Sequence, residues 1–379
     1  MAALPTMADA TPLWLGLVLT PGLGHRGAHH LVERFSTAEA IYAASLTELE
    51  ACHLPAAVAQ FIHSGRAAEA GAEEAERAQA QGVQVITLGD RSFPELLREI
   101  YDPPLALYVR GSVEAVGRFG VALVGTRHPS VYGRIMTERL ARELAQWGLT
   151  IFSGLARGVD GIGQKACLEA GGCTVAVLGT GVDLIYPSEN RKLAESILGS
   201  GGALVSEFTL GTAPAAQNFP IRNRIISGLS VGVLVVEGGE YSGSRITARM
   251  ALEQDREVFA VPGMATQKQA WLPNALIKQG AKLTTEAADV IEGMPSAVRA
   301  RLTAPSPAPT TASTADNMAK GPKAKVLALL PADDALHVDE IVNLLDNSLS
   351  APEVLTLLFD LELEGRIRQL PGKKYLRVS

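Results

Sequence analysis

The sequence predicts an α/β protein built on an extended Rossmann-like domain, with a mainly parallel sheet and helices on both faces. Between residues 121 and 261, short apolar runs alternate with helical patterns, and most runs are followed closely by glycine or another small residue. The six runs are Val121–Val124, Thr150–Phe152, Thr174–Leu178, Ala203–Val205, Val231–Val236 and Glu257–Val261. Strands this apolar are buried on both faces, so they indicate a parallel sheet that is covered by helices.

A small helical domain is expected before the sheet, in residues 11–82, with a SAM-like or helix-hairpin-helix-like fold. Within it, Gly22–Gly27 matches GxGxxG, but no second strand ending in an acidic residue follows about 20 residues later, as a dinucleotide site requires. Pro21–Gly24 is closer to the hairpin of helix-hairpin-helix modules. The segment Leu13–Gly82 carries eight acids against four bases, which favours a structural or protein-contact role over DNA binding.

The sheet domain is expected to span residues 83–293, and a flexible linker rich in proline, alanine, serine and threonine is expected in residues 294–322. Residues 323–379 show three helical patterns and then a predicted hairpin, which is a winged-helix arrangement. The predicted recognition helix, Ala351–Glu364, carries four acids and no base, and the domain has seven bases against nine acids. A domain that binds duplex DNA would carry more bases than acids, so contact with another protein is favoured.

Composition restricts the classes of function. The chain has 379 residues, a net charge of −6 and a pI of about 5.7, so any polyanion site must be a local patch. Three cysteines without a CxxC pair suit a reducing cytoplasm and predict neither a disulfide framework nor a zinc site. The apolar run Leu13–Leu19 is too short to span a membrane. No loop matches the Walker A pattern, and we expect no cofactor and no metal.

Small and hydroxyl residues follow the predicted strands at the edge where ligands bind in such sheets. Gly125-Thr126-Arg127 follows the first run, Ser153-Gly154 the second, and Ser242-Gly243-Ser244 the fifth. Glycine lets a backbone approach phosphate, and serine or threonine hydroxyls cap the following helix. These segments are therefore candidate phosphate-binding loops.

The segment Gln217–Leu229 predicts a helix N-terminus that favours anions. Pro220 suits a first helical turn, Phe219 precedes that turn, and Arg222 and Arg224 lie within it without an acidic neighbour. We expect both arginines to hold phosphate beside Asn223 while Phe219 stacks on a base. Two alternatives stay open: the arginines pair with carboxylates on a neighbouring element, and Phe219 is buried beneath the loop.

The chain resembles the DNA-processing protein A (DprA, Smf) family from about Phe93 to Ile291, and its layout extends the similarity to both flanking regions. The shared motifs are Gly125-Thr126-Arg127 with Ser130-x-Tyr132-Gly133, Ser153-Gly154-Leu155-Ala156-Arg157-Gly158-Val159-Asp160, Tyr186-Pro187-x-x-Asn190, Ser206-Glu207, Phe219-Pro220-x-Arg222-Asn223-Arg224, and Ser242-Gly243-Ser244 with Thr247-Ala248. The resemblance implies a non-enzymatic, cytoplasmic protein that binds single-stranded DNA at the carboxyl edge of the sheet. It further implies a homodimer formed by the sheet domain and the loading of RecA in natural transformation or recombination.

Three positions depart from the family pattern. Gln164 stands where histidine is common, which argues against a catalytic histidine there. Arg245 replaces a usual aliphatic residue and would add either a phosphate contact or a surface charge. Leu272-Pro273 interrupts a stretch that usually carries glycine before Asn274, so the conformation of that loop is open.

Two other functions remain alternatives. The first is an enzyme similar to nucleotide phosphoribohydrolases, in which Glu207, Glu237 or Glu240 would supply a carboxylate beside Gly238-Gly239. The Gly-Thr-x-x-Glu continuation of that motif is absent, since Ser242-Gly243-Ser244 leads into Ile246 and Thr247. The second is a duplex-binding regulator that would use the terminal winged helix.

Overall fold

The computed structural model describes residues 10–302, 322–331, 335–345, 349–363 and 366–377. Within the first range, nine strands form one sheet in the order β1-β2-β6-β5-β4-β3-β7-β8-β9. The strands are β1 (Gln84–Thr87), β2 (Ala106–Gly111), β3 (Gly120–Val124), β4 (Thr150–Ser153), β5 (Thr174–Val177), β6 (Ala203–Ser206), β7 (Gly232–Val235), β8 (Glu257–Ala260) and β9 (Lys282–Leu283). All six predicted strands are present, and β3 to β9 pair in parallel.

The sequence did not predict β1, β2 and β9. The hairpin of β1 and β2 is antiparallel, and β2 pairs antiparallel with β6, so this side of the sheet departs from the parallel rule. Chain order reverses at β3, which has β4 on one side and β7 on the other. Such a reversal opens a crevice at the carboxyl edge of the sheet.

Helices cover both faces of the sheet. They are α7 (Glu95–Arg98), α8 (Val113–Val116), α9 (Val131–Gln146), α10 (Val159–Glu169), α11 (Arg191–Gly199), α12 (Asn218–Gly228), α13 (Ser244–Glu253), α14 (Trp271–Lys278), α15 (Ala287–Gly293) and α16 (Ser296–Arg299), with 3-10 turns at Ser188–Asn190 and Lys268–Ala270. Val175 and Val177 belong to one hydrophobic cluster, whereas Ala176 between them belongs to another. Alternate residues of β5 therefore pack into separate cores, as a helix-covered strand requires.

The N-terminal region is helical, as predicted. Its helices are α1 (Thr11–Leu19), α2 (Gly24–Phe35), α3 (Ala38–Ala43), α4 (Leu46–Glu50), α5 (Ala56–His63) and α6 (Arg66–Ala80). These helices share both hydrophobic clusters with the sheet, since Leu17 lies in the cluster of Val205 and Leu15 in that of Leu204. Glu74 also accepts a hydrogen bond from the Leu210 amide at 3.1 Å. The expected boundary between residues 82 and 83 thus separates elements that pack against each other.

The C-terminal unit is a winged helix, as predicted. It contains α17 (Pro322–Leu329), β10 (Leu336–His337), α18 (Val338–Leu344), α19 (Ala351–Leu363), β11 (Ile367–Leu370) and β12 (Lys374–Arg377), with strand order β10-β12-β11. The wing turn places Gly372 at φ 87° and Lys373 at φ 54°. Asp360 of α19 pairs with Lys323 at 3.0 Å. Of the expected linker, 303–321 lies outside the described residues, as does Glu364 of the predicted recognition helix.

No helix in the described parts of the chain combines the length and the hydropathy that a bilayer-crossing segment needs. In the same residues, no cluster of three or more histidine, cysteine, aspartate or glutamate side chains is arranged to hold a metal ion.

Gly71 lets α1 and α6 approach each other at backbone distance. A Cβ at this position would collide with the Pro12 carbonyl oxygen and would stand 2.5 Å from the Gly16 amide nitrogen. Because backbone atoms cannot rotate away, we expect Gly71→Ala to lower the free energy of unfolding by about 1–3 kcal/mol. The measurement is urea unfolding.

Gly199→Ala is the matched control, because Gly199 is also helical and a Cβ there meets no atom within 4 Å. Its stability should stay unchanged or rise by up to about 1 kcal/mol. Equal unfolding midpoints for the two variants would contradict close packing between α1 and α6.

Candidate nucleic-acid interface

A cleft of about 1110 Å³ opens at the carboxyl edge of the sheet, where β3 and β7 lie side by side. The loops that follow these two strands form two of its walls, and α12 contributes to its floor. Nine of the twelve predicted site residues line it, namely Gly125, Thr126, Arg127, Phe219, Arg222, Asn223, Ser242, Gly243 and Ser244. Ser153, Gly154 and Arg224 lie elsewhere.

Helix α12 begins at Asn218, two residues earlier than the sequence predicts. Phe219 and Pro220 both lie in its first turn, where the missing N–H of proline costs no hydrogen bond. Arg222 and Arg224 therefore occupy the second turn rather than the first, and both side chains are buried, at 5% and 4% exposure. The expectation of two solvent-facing arginines at the helix N-terminus was wrong.

Arg224 forms a buried ion-pair network, as the first open alternative describes. Its Nη1 and Nη2 atoms donate to the two carboxylate oxygens of Glu207 at 2.8 and 2.7 Å, and its Nε atom donates to Asp102 at 2.9 Å. The bidentate pair joins α12 to the end of β6, and the Asp102 bond joins it to the segment before β2. Because Glu207 is held in this ion pair, it is not a free carboxylate of the kind that the enzyme alternative requires.

Arg222 lies at the floor of the cleft, where main-chain oxygens hold it. Its Nη1 atom donates to the carbonyls of Val177 and Gly154, the latter at 3.0 Å, and Nε donates to Asn223 at 3.3 Å. Its Nη2 atom makes no hydrogen bond with any described residue. Burial lowers the pKa of Arg222 to about 10, so the guanidinium remains charged at neutral pH.

Ser153 and Gly154 support the cleft from beneath. The Ser153 hydroxyl is fully buried and donates to the Leu123 carbonyl at 2.7 Å, which ties β4 to β3. A Cβ at Gly154 would stand 2.6 Å from Arg222 Nη2, so glycine makes room for that guanidinium. The Gly154 amide donates to Asp160 at 3.0 Å. Burial raises the pKa of Asp160, and the nearby Arg222 charge opposes that rise.

Two exposed cations face the cleft without a carboxylate partner. Arg127 follows β3, and Lys268 begins a 3-10 turn after β8; neither makes an ion pair within 4 Å in the described chain. The Thr126 amide fixes the first loop by donating to the Glu237 carbonyl at 2.8 Å. Sequence reasoning missed Lys268, although its place after the sixth predicted strand was a usable signal.

The start of α13 offers unused amide groups. Ser242 and Ser244 share a hydroxyl hydrogen bond of 2.7 Å, and a Cβ at Gly243 would meet no atom within 4 Å. The amides of Gly243 and Ser244 donate to no described acceptor. Open N–H groups at the N-terminus of a ten-residue helix attract anions.

Aromatic rings surround these donors. Phe219 is half-buried, and its centroid lies 5.6 Å from that of Tyr186 at an interplanar angle of 37°. Tyr186 is 46% exposed, Tyr241 is 91% exposed and Trp271 is 42% exposed, and all three line the cleft. Tyr241 and Trp271, which follow the fifth and sixth predicted strands, were not among the predicted site residues.

Family models match most of the chain. The model for DNA recombination-mediator protein A covers residues 84–295, and the DprA winged helix domain covers residues 304–373. The chain belongs to the DprA family. Protein Smf of Escherichia coli is 44% identical over 280 residues, which cover 74% of each chain. The DNA processing protein DprA of Bacillus subtilis is 44% identical over 216 residues, or 57% of this chain and 72% of the relative.

Solved DprA structures share the fold. DprA of Streptococcus pneumoniae matches with a TM-score of 0.63 and 31% identity over 75% of this chain and 96% of its own. DprA of Helicobacter pylori matches with a TM-score of 0.50 and 32% identity over 55% of this chain and 94% of its own. The structural work on the Helicobacter pylori protein concerns its single-stranded DNA binding mode.

The three departures from the DprA pattern have structural explanations. Gln164 is buried and donates to Thr174 and to the Val175 carbonyl at 3.2 and 3.3 Å, which anchors α10 to β5. Arg245 is exposed, and its guanidinium lies 3.4 Å from the Glu240 carbonyl. Leu272 and Pro273 lie in α14, where Asn274 bonds both the amide and the carbonyl of Gly263.

We expect Arg224 to stabilise the fold, so its replacement should lower the free energy of unfolding. Arg224→Ala leaves Glu207 buried without its partner, and we expect a loss of about 3–5 kcal/mol in the free energy of unfolding. Arg249→Ala is the matched control, since Arg249 pairs with Glu253 on an exposed helix face and should contribute no more than about 1 kcal/mol. Chemical unfolding of both variants measures the difference, and a loss at Arg224 no larger than that at Arg249 would refute the role.

Proposed function

We propose that this protein binds single-stranded DNA in the cleft at the carboxyl edge of its sheet. The observation that carries the proposal is that two cations without an ion-pair partner in the described chain, Arg127 and Lys268, lie in the same cleft as the open amides of Gly243 and Ser244. Family membership supports it, as does the single-stranded DNA binding mode of the Helicobacter pylori relative. The protein is proposed to protect the strand and to load RecA onto it in natural transformation or recombination, which its family supports.

The phosphates would contact the exposed donors of the cleft. Arg127 and Lys268 supply charge, and the α13 amides and the Ser242 hydroxyl supply hydrogen bonds. Arg222 offers only Nη2 from the floor, next to the side chain of Asn223. Thr126 lines the same cleft, and its hydroxyl already accepts from the His128 amide at 3.2 Å.

The bases would stack on exposed rings. Tyr241 and Trp271 present the open aromatic surface, and every base has a face that such rings accept without sequence preference. Phe219 packs beneath Tyr186 and against Gly179, where a Cβ would stand 2.8 Å from the ring. Phe219 would therefore support the Tyr186 ring rather than be the first ring to contact a base.

Titration with labelled single- and double-stranded oligonucleotides at two salt concentrations tests the function. We expect tighter binding of the single strand, with an affinity that falls as salt rises, because phosphate contacts release condensed counterions. Equal affinity for the duplex would favour the alternative of a duplex-binding regulator.

Arg127 and Lys268 should each account for one phosphate contact. Replacing either by alanine should flatten the slope of log affinity against log salt by about 0.7 on single strands, and should weaken all base sequences similarly. Lys278→Ala is the control, since Lys278 is exposed at the far end of α14 and does not line the cleft. Arg224→Ala should leave the slope of the folded protein unchanged. A slope that neither Arg127→Ala nor Lys268→Ala alters would contradict the phosphate site.

The sheet domain is further proposed to form a homodimer. Of the segments that motivate this, Met250–Leu252 exposes Leu252 at 56%, which supports a contact surface. Within Trp271–Ile277, Leu272 and Leu276 are buried in the chain's own core, so Trp271 is the exposed apolar residue there. Sedimentation at micromolar concentration should give a dimer that Leu252→Glu dissociates; a monomer under these conditions would exclude it.

A further inference from the structure

A second depression adjoins the cleft and has a volume of about 440 Å³. We call it the α11 groove, because it runs between α11 and the strands β2 and β6. Tyr186 and Pro214 line both the cleft and the groove, so the two are continuous across these residues. Arg110 of β2 stands opposite Leu204 of β6 in the sheet register and reaches the groove from its floor.

The charged side chains of the groove differ in whether they already have a partner in the protein. Arg110 and Arg191 both line it, and neither pairs with a carboxylate within 4 Å in the described chain. Asp183 is engaged elsewhere, since both of its carboxylate oxygens lie 3.0 Å from the Gly211 amide that donates to them. Glu195 lies one turn after Arg191 on α11 and forms no ion pair with it. Among the described residues, the groove thus holds two guanidiniums without an ion-pair partner and two carboxylates, of which Asp183 is fixed by the Gly211 amide and Glu195 has no ion-pair partner.

The apolar part of the groove suits a base or a sugar. Leu184 is 38% exposed beside Ile185 and Leu198, and Tyr186 stands at the junction with the cleft. Guanidiniums beside an apolar surface form the combination that binds a single strand through its backbone while a ring or aliphatic surface supports the base. OB folds cover about 4–16 nucleotides of a single strand. A strand at the longer end of that range would extend beyond one cleft.

We infer that the α11 groove is a second single-strand subsite, in which Arg110 and Arg191 bind the phosphates of nucleotides that leave the cleft past Tyr186. The inference rests on the proposed function and adds the route of the strand. It predicts that the groove contributes to binding only when the strand is long enough to reach it.

Strand length separates the two sites experimentally. Salt-dependent binding is measured for oligothymidylates of about 4 and about 12 nucleotides, one at the lower end of the range of single-strand site sizes and one well within it. Arg191→Ala should flatten the salt slope by about 0.7 on the longer strand and leave the shorter one unchanged. Arg110→Ala should behave alike, and Arg191, which is exposed at the start of α11, provides the variant that keeps the fold.

Variants of two neighbouring residues serve as controls for the change in charge. Lys192→Ala removes the same charge from the next position of α11 but not from the groove, and should leave the slope unchanged at both lengths. Glu195→Gln removes a negative charge from the groove and should tighten binding of the longer strand alone. An unchanged slope for Arg191→Ala, or an equal change at both lengths, would overturn the groove subsite. An unchanged slope for both Arg127→Ala and Lys268→Ala at both lengths would overturn the cleft and the groove together.

Discussion

The bidentate ion pair between Arg224 and Glu207 fixes helix α12, and the cleft is built on that helix. Two charges buried at this depth are stable only because each is paired and hydrogen-bonded, and Asp102 satisfies the remaining Nε donor of Arg224. Two residues earlier, Arg222 reaches the ends of β4 and β5 through the carbonyls of Gly154 and Val177. Successive arginines thus anchor one helix to four parts of the fold, which holds the cleft floor in a single position.

Buried and exposed cations have separate tasks in this arrangement. Each buried arginine makes three hydrogen bonds to the protein, so the two arginines organise the site before a strand arrives. Arg127 and Lys268 keep their donors in solvent and can exchange water and counterions for phosphate. A chain with an overall charge of −6 can present a phosphate site in this way, because the site is a local patch and the nearby acids Glu207 and Asp102 are held in ion pairs with Arg224.

The sequence was sufficient to predict the six strands from Gly120 to Ala260, which are mainly apolar and buried, but the apolar run at the start of β2 was missed. It did not reveal β1, which is partly exposed, or β9, which has two residues, because neither produces a continuous apolar run. The roles of Arg222 and Arg224 could not be separated either, since both lie two residues apart on one helix. Their partners, Glu207 and Asp102, are set by pairing of β2 with β6, which no local pattern encodes. The loop residues of the site were predictable from their position after strands, and Lys268 could have been found by the same rule.

The pairing of β2 with β6 also has a consequence for biosynthesis. The hairpin of β1 and β2 leaves the ribosome about 90 residues before β6 is made, which takes roughly 5–20 seconds at ordinary elongation rates. Until then β2 lacks the strand that pairs with it, and its apolar residues Leu107 and Val109, which share a hydrophobic cluster with Val205, are incompletely covered. The nascent chain therefore exposes a hydrophobic surface for that interval, and holdase chaperones are the cellular factors suited to cover it.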